Sequence, residues 1–311
     1  MRVFVAGASG AVGPPLLRQL VAAGHEVTGM TRHEAKAEAI RAAGAEAAVC
    51  DAFDAEALKS AVAAAAPDAV VNELTSLPQR YNPRRASFYE ATNRVRTEGG
   101  HNLVEAARAA RASRFVTQSI AFLYAPEGGW VKDEEARVFS DAPGSFGSAM
   151  EALTSHEQEV LECPDFTGLV LRYGQFYGPG TYLAADGHIG REVRRRRFPV
   201  VGPGTGTFSF LHLEDAAGAT VAALDRGARG VYNVVDDEPA RLGEWLPVYA
   251  EALGAKPPRR VPVWLARLVA GAAVASSAVE LRGAANAKAK RELGWEPRYP
   301  SWREGFPDAL S

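Results

Sequence analysis

Three glycines stand at regular intervals, Gly7, Gly10 and Gly13, directly behind the apolar run Val3-Phe4-Val5-Ala6. Between a strand and a helix, the first such glycine permits a tight turn, the second lets backbone approach a pyrophosphate, and the third lets the helix pack closely. Backbone N–H groups at the helix start then bind the anion. The chemistry implied is dinucleotide binding, and the plainer alternative is a turn that merely needs glycine. About 20 residues on, an acid would take the adenosine ribose 2′-hydroxyl, whereas an arginine would take a 2′-phosphate. The chain reads Thr31-Arg32-His33 there, with Glu34 only afterwards. NADP is therefore expected in preference to NAD, unless Arg32 is a solvated residue opening a helix. Asp51, ending a third apolar run, either meets the adenine edge or caps the next helix.

These residues need a scaffold, and the first 172 residues carry its pattern. Short β-branched runs at 3–6, 26–30, 47–49, 69–72, 114–118 and 168–171 alternate with longer alanine-rich segments. Helices are expected to start near Ala11, His33, Asp54, Ser87 and Ser145. Alternation of this kind predicts a doubly wound α/β parallel sheet, and the nearly all-apolar runs predict cover on both faces. Past residue 173 glycine and proline become denser and the alternation is lost. A smaller mixed lobe is expected over 173–311, with strands near 198–201, 208–212 and 231–234. Its helices are placed near 214–225, 242–253, 264–281 and 286–293. The cleft should lie between the two lobes, outside the carboxyl ends of the parallel strands.

Composition narrows the function classes. With 47% hydrophobic and 23% charged residues in 311, the chain folds around a core, and disorder is excluded. Lys and Arg total 35 against 37 Asp and Glu, so no charge excess points to nucleic acid. Cys50 and Cys163 stand far apart without a histidine cluster, so neither a metal site nor a disulfide is expected. Residues 264–281 are apolar but interrupted by Arg267, Ser276, Ser277 and Glu280, which suits a packed helix better than a membrane span. No export signal is recognisable, leaving the cytoplasm as the expected location, a small molecule as substrate and a homodimer as an open option.

Four segments in order resemble the extended short-chain dehydrogenase/reductase superfamily, in particular its NAD-dependent epimerase/dehydratase group. They are Gly7-x-x-Gly10-x-x-Gly13, the stretch from Thr92-Asn93 to Asn102-Leu103-Val104-Glu105-Ala106-Ala107, and the two that follow. Arg172-Tyr173-Gly174-Gln175-Phe176-Tyr177-Gly178-Pro179-Gly180 resembles the group's Arg-Pro-x-x-x-Tyr-Gly-Pro-Gly. Phe210-Leu211-His212-Leu213-Glu214-Asp215-Ala216-Ala217 is similar to its Phe-x-His-Val-Asp-Asp-x-Ala. The resemblance implies a Rossmann domain over 1–172, a substrate lobe over 173–311 and a nicotinamide dinucleotide. It also implies a Tyr-x-x-x-Lys pair, in which tyrosine exchanges a proton with the substrate oxygen and lysine lowers its pKa. Here that place reads Phe146-Gly147-Ser148-Ala149-Met150, and none of the nine tyrosines has a lysine four residues later. A positioned acid or base contributes roughly 10²–10⁴ in rate, so the job is either lost or moved to another side chain.

Ser119, Tyr124 and Tyr173 are the expected catalytic hydroxyls, each with packing as its alternative role, and His188 borders the same cleft. Cofactor contacts are expected from Gly7, Ser9, Gly10, Ala11, Val12, Gly13, Thr31, Arg32, Asp51, Ala52, Leu74, Thr75, Asn93, Gln118, Met150, Tyr173 and Phe176, with Asn72 beside them. Arg84 and Arg85, and the run Arg191 with Arg194 to Arg197, either face an anionic substrate or cover solvated surface. His212 reads as a buried, hydrogen-bonded histidine. The function expected is an NADP-dependent oxidoreductase or epimerase acting on a small carbonyl, hydroxyl or sugar-like substrate with a non-standard proton donor. An NADP-binding sensor or scaffold and a redox-neutral isomerase or lyase stand as alternatives. Gly10→Val should abolish binding of both dinucleotides in a titration. Arg32→Ala should weaken NADP far more than NAD, by up to roughly 1.5–3 kcal/mol for a lost charge-assisted bond, and equal affinity of the native protein for the two would refute the preference.

Overall fold

Alternate side chains of a strand leave opposite faces, so the run Val3-Phe4-Val5-Ala6 needs apolar cover on both sides. It has that cover in the computed structural model, which describes residues 1–82, 86–142 and 144–310. Val3 and Val5 pack with Leu16, Leu17 and Leu20 of helix Gly13–Ala22 and with Ala216 to Leu224 of helix Leu213–Asp225. Phe4 and Ala6 belong to a second cluster with Leu58 and Val62 of Ala55–Ala65, Leu103 of Gly100–Ala109 and Val160 of Gly144–Glu162.

The sheet has seven strands. They are β1 (Arg2–Ala6), β2 (Glu26–Thr31), β3 (Glu46–Val49), β4 (Ala69–Asn72), β5 (Arg114–Ile120), β6 (Thr167–Tyr173) and β7 (Gly230–Val234). Their spatial order is β7-β6-β5-β4-β1-β2-β3, and every neighbouring pair is parallel. The chain therefore begins in the middle, winds outward to β3, then returns past β1 to build the other half. The winding reverses between β1 and β4, where Ala6 lies in register with Asn72. Ligands of such sheets bind beyond the carboxyl ends of the strands at this reversal.

Several expected elements change shape. The first helix starts at Gly13 rather than near Ala11, because residues 7–12 are used as loop. The strand at 231–234, expected in the smaller lobe, pairs with β6 and completes the large sheet, and helix Leu213–Asp225 covers that sheet as well. Both lie beyond residue 172. The strand expected over 208–212 is two short pieces, Thr207–Phe208 and Phe210–His212, which pair with different partners. The helix expected over 264–281 is also two, Val263–Ala270 and Ala272–Glu280, because Gly271 between them has φ 91°. Among the described residues no helix is long and apolar enough to cross a membrane. The C-terminal part has its own aromatic core, in which the Phe210 ring lies 5.3 Å from Trp245 and 5.2 Å from Phe306.

Gly7 ties the loop to the sheet. Its φ of 88° is one that side chains rarely adopt, and a β-carbon there would stand 2.5 Å from the Glu73 carbonyl oxygen. Backbone strain and overpacking together predict that Gly7→Ala costs at least ~2 kcal/mol, to be read from the shift in urea midpoint.

Candidate active site

The glycine loop leaves room on one side only. At Gly13 a β-carbon would fall 2.0 Å from the Ala8 carbonyl oxygen, so close packing of loop on helix requires glycine there. At Gly10, whose N–H donates to the Gly7 carbonyl at 2.9 Å, a β-carbon would meet only that oxygen, at 3.1 Å. Among the described residues beyond its chain neighbours, no other atom lies within 4 Å of such a β-carbon, which leaves the approach a pyrophosphate needs. Ser9 Oγ and Thr31 Oγ1 lie 3.1 Å apart and join the loop to the end of β2. There Arg32 is exposed and donates to the His33 ring at 3.1 Å, while the His33 N–H donates to Thr31 Oγ1.

Asp51 does not cap the following helix. Its carboxylate accepts the Phe53 N–H at 3.0 Å in a local turn, and Asp54 provides the cap by accepting the Ala57 N–H. The buried Ala52 offers its carbonyl to Asn102. At the ends of β4 and β5, Asn72 Oδ1 accepts the Leu74 N–H at 3.1 Å and Gln118 Nε2 donates to the Leu74 carbonyl at 3.0 Å, with Thr75 exposed beside them. Asn93 Oδ1 is buried without a hydrogen-bond partner. Met150 is buried against Leu123, Tyr124 and Leu153, and Phe146 packs at the margin of that cluster. Phe176 is half-buried, its ring 5.4 Å from that of Tyr173.

The candidate hydroxyls fall into two separate networks. Ser119 donates to Glu157, whose carboxylate also receives Arg172 Nε at 3.1 Å and Nη2 at 2.6 Å. Arg172 Nη1 reaches the Tyr124 hydroxyl at 3.2 Å, and that hydroxyl donates to Asn233 Oδ1 at 2.6 Å. All five residues are buried. Burial raises the Tyr124 pKa, against the opposing charge of Arg172. Burial alone would lower that of Arg172, but its bonds to Glu157 outweigh this and raise it. Ser119 and Tyr124 are thus brought together, on one ion pair.

Tyr173 points into the core on the Gly13–Ala22 side of the sheet. Its hydroxyl lies 2.9 Å from Glu73 Oε1 and 2.6 Å from Thr220 Oγ1, and Thr220 donates to the Ala216 carbonyl at 2.8 Å. Tyr173 donates to Glu73, and either hydroxyl can donate in the contact between Tyr173 and Thr220. Burial pushes Glu73 from its ordinary 4.5 to about 8, and pushes Tyr173 well above 10.0.

The remaining expectations are scattered. Arg84 and Arg85 lie outside the described residues. Arg191, Arg194 and Arg196 donate to the carbonyls of Asp186, Ala185 and Pro257, and Arg195 pairs with Glu192. His188 Nδ1 is buried without a hydrogen-bond partner. His212 is buried, accepts the Glu214 N–H at 3.1 Å to cap a helix, and lies 4.4 Å from the Tyr299 ring. Glu73, Glu157, Asn233 and the buried His156, which reaches Asn72 at 3.0 Å, escaped the sequence reading. One signal was available for Glu157: it shares a helical face with the apolar Met150 and Leu153.

A glycine cradle at the reversal point of a parallel sheet defines a nicotinamide dinucleotide-binding protein of the Rossmann type, with chemistry of the NAD(P)-dependent oxidoreductase kind. The chain belongs to the NAD-dependent epimerase/dehydratase family, whose model matches residues 3–235. A Streptomyces protein named 3-diazoavenalumate denitrifying reductase is 47% identical over 308 residues, 98% of this chain and 99% of its own. A Stigmatella aurantiaca protein, named as a ketoreductase of a farnesylated dihydroquinoline oxide, is 30% identical over 259 residues, 82% of this chain and 74% of its own. Among solved structures, the Thermotoga maritima UDP-glucose 4-epimerase with UDP-glucose superposes with TM-score 0.78 at 19% identity, covering 99% of this chain and 97% of that one. The human epimerase family protein SDR39U1 with NADPH does so with TM-score 0.73 at 22% identity, covering 99% of both chains. These two likenesses speak for the fold.

A carboxyl whose folded pKa is raised holds a proton that the unfolded chain releases, so its contribution to stability falls as pH rises from 4.5 through about 8. Glu73→Gln, a neutral donor of similar shape, should flatten that part of the stability profile. Urea melts from pH 5 to pH 9 test this, and an unchanged slope would mean that Glu73 is ionised in the fold.

Proposed function

We propose that this chain is an NADPH-dependent reductase that removes a diazo group from an aromatic compound as dinitrogen. The observation that carries the reading is the pair Phe146 and Met150 where a proton donor and its lysine would stand, Met150 being 1% exposed. Carbonyl reduction builds negative charge on oxygen and needs an acid to receive it. An arenediazonium cation already carries positive charge, which an arriving hydride cancels, so the hydride transfer itself requires no acid. The dinucleotide, when bound, supplies that hydride. It forms an N–H bond at the terminal nitrogen, giving an aryl diazene; that nitrogen then gives up its proton as the carbon–nitrogen bond breaks, dinitrogen leaves, and the ring carbon, which keeps the electron pair of the broken bond, takes up one proton. The balance is one diazonium ion and one NADPH giving one arene, one dinitrogen and one NADP⁺. The name of the Streptomyces relative supports this chemistry.

Under this reading the glycine loop seats the pyrophosphate, and Arg32 selects the 2′-phosphate from the end of β2. The apolar surface around Phe146 and Met150 keeps water from the reacting nitrogen. Substrate enters between the carboxyl edge of the sheet and the C-terminal lobe. A cytoplasmic location suits the need for a reduced cofactor. The ketoreductase relative supports a second reading, reduction of a ketone with Ser119 or Tyr124 as relocated donor.

Single-turnover mixing of the NADPH-loaded protein with an arenediazonium salt and with aryl ketones separates the two. The first reading expects loss of reduced-nicotinamide absorbance with stoichiometric dinitrogen from the diazonium salt alone, undiminished in Tyr124→Phe. Turnover of ketones, slowed by Ser119→Ala or Tyr124→Phe at unchanged NADPH affinity, would establish the second and overturn the first.

A further inference from the structure

Large apolar side chains at a protein surface are ordinary when they stand singly and informative when they cluster. Here they cluster. Among the described residues the three most exposed are Trp264 at 64%, Leu268 at 70% and Val269 at 65%, all on helix Val263–Ala270. Val263 and Ala266 root that helix in the aromatic core of the C-terminal part. Each residue of a helix advances by about 100°, so Trp264 and Leu268, four apart, leave side by side from the opposite face. Gly271, with its φ of 91°, then turns the chain back, and helix Ala272–Glu280 packs Ala275 and Ala278 inward. The face that carries Trp264 stays open to solvent.

The charge around this face is of one sign. Between Glu251 and Glu280 the chain has no acidic residue, yet it has Lys256, Arg259, Arg260 and Arg267, in a protein whose net charge is −2. All four are exposed, and among the described residues none is in an ion pair. Arg267 stands on the helix itself, three residues from Trp264. Arg260 lies on the short strand leading into the helix and donates to the Gly202 carbonyl at 3.4 Å, and a β-carbon at Gly202 would meet Val263 at 2.7 Å. That arginine therefore borders the helix start. The arginine run 194–197 adjoins the same segment, since Arg196 donates to the Pro257 carbonyl at 3.1 Å, and Glu192 pairs only with Arg195.

Each class of occupant would meet this surface differently. A nucleic acid would engage the arginines and leave Trp264 and Leu268 in water. A second copy of the chain, in a two-fold contact, would set the same basic rim against itself. A bilayer with anionic headgroups satisfies both parts: the apolar side chains enter the headgroup boundary, where tryptophan is favoured, while the arginines meet phosphates. We infer that helix Val263–Ala270 is a docking face for an anionic phospholipid surface. Its eight residues are too few to span a bilayer, so it lies along the surface. The inference is independent of the chemistry proposed above.

The test is sedimentation of the full chain with vesicles of phosphatidylcholine alone and of phosphatidylcholine mixed with phosphatidylglycerol. Native protein should bind the mixed vesicles at least about tenfold more tightly than the neutral ones, and less tightly as salt rises. Trp264→Glu combined with Leu268→Glu should abolish binding, and Arg267→Gln should weaken it about fivefold on the mixed vesicles alone. Melting temperature and NADP⁺ affinity should hold in these variants, because the replaced side chains are exposed. Tryptophan emission of the native protein should shift to the blue on the mixed vesicles, and Trp264→Phe should bind them without that shift. No binding to mixed vesicles, equal binding to both kinds, or binding that survives the double substitution would each overturn the inference. A lipid-free dimer that the double substitution dissociates would also overturn it, since a second copy would then cover this face.

Discussion

The buried ion pair between Glu157 and Arg172 is the constraint on which the carboxyl edge of the sheet depends. It joins helix Gly144–Glu162 to β6, takes the Ser119 hydroxyl from β5, and reaches Asn233 of β7 through Tyr124. Four elements are thereby fixed relative to one another by charged and polar groups with few alternative partners. Removing one member of such a pair typically costs about 3–5 kcal/mol, because the other is left charged and dry. An apolar replacement of the whole set could hold the elements as firmly, but it would tolerate sliding in a way that directional bonds do not. Arg172 also belongs to the segment by which the chain resembles its family, so the motif here serves rigidity close to the chemistry.

That polar set borders an apolar one. Phe146 and the fully buried Met150 line it, and the Ser119 and Tyr124 hydroxyls nearby answer to internal partners. This edge of the sheet therefore divides into a polar half, tied by directional bonds, and an apolar half, held by packing.

The parallel core was legible because strands covered on both faces must be apolar throughout, and the breaks between them carry the turn residues. The glycine loop and the missing Tyr and Lys were legible for a related reason: both are local patterns. Long-range pairing was not. The run Val231-Tyr232-Asn233-Val234 reads as a strand, yet nothing local says that it joins β6 rather than a separate small sheet. Buried polar groups were equally hidden. Glu157 carries no local sign that it is sequestered, and only the packing of its helix on the sheet reveals it. Gly271 was visible as a residue, but its effect depends on a backbone angle that an apolar stretch does not announce.

Helix Glu90–Arg94 runs into one wide, π-type turn, Val95–Gly99, before continuing as Gly100–Ala109, and that turn carries one more consequence. Such a turn accommodates an extra residue within an otherwise regular helix, and each residue of a regular helix advances by roughly 100° around its axis. Val95 and Gly99 of the turn are buried, and a β-carbon at Gly99 would meet Ala52 at 3.2 Å and one at Gly100 would meet His156 at 2.7 Å, so loss of a single codon within it would turn the following helix against a core with little room to give. The length of the chain at this point is thus held by packing, and a change of one residue there would be felt first by the fold.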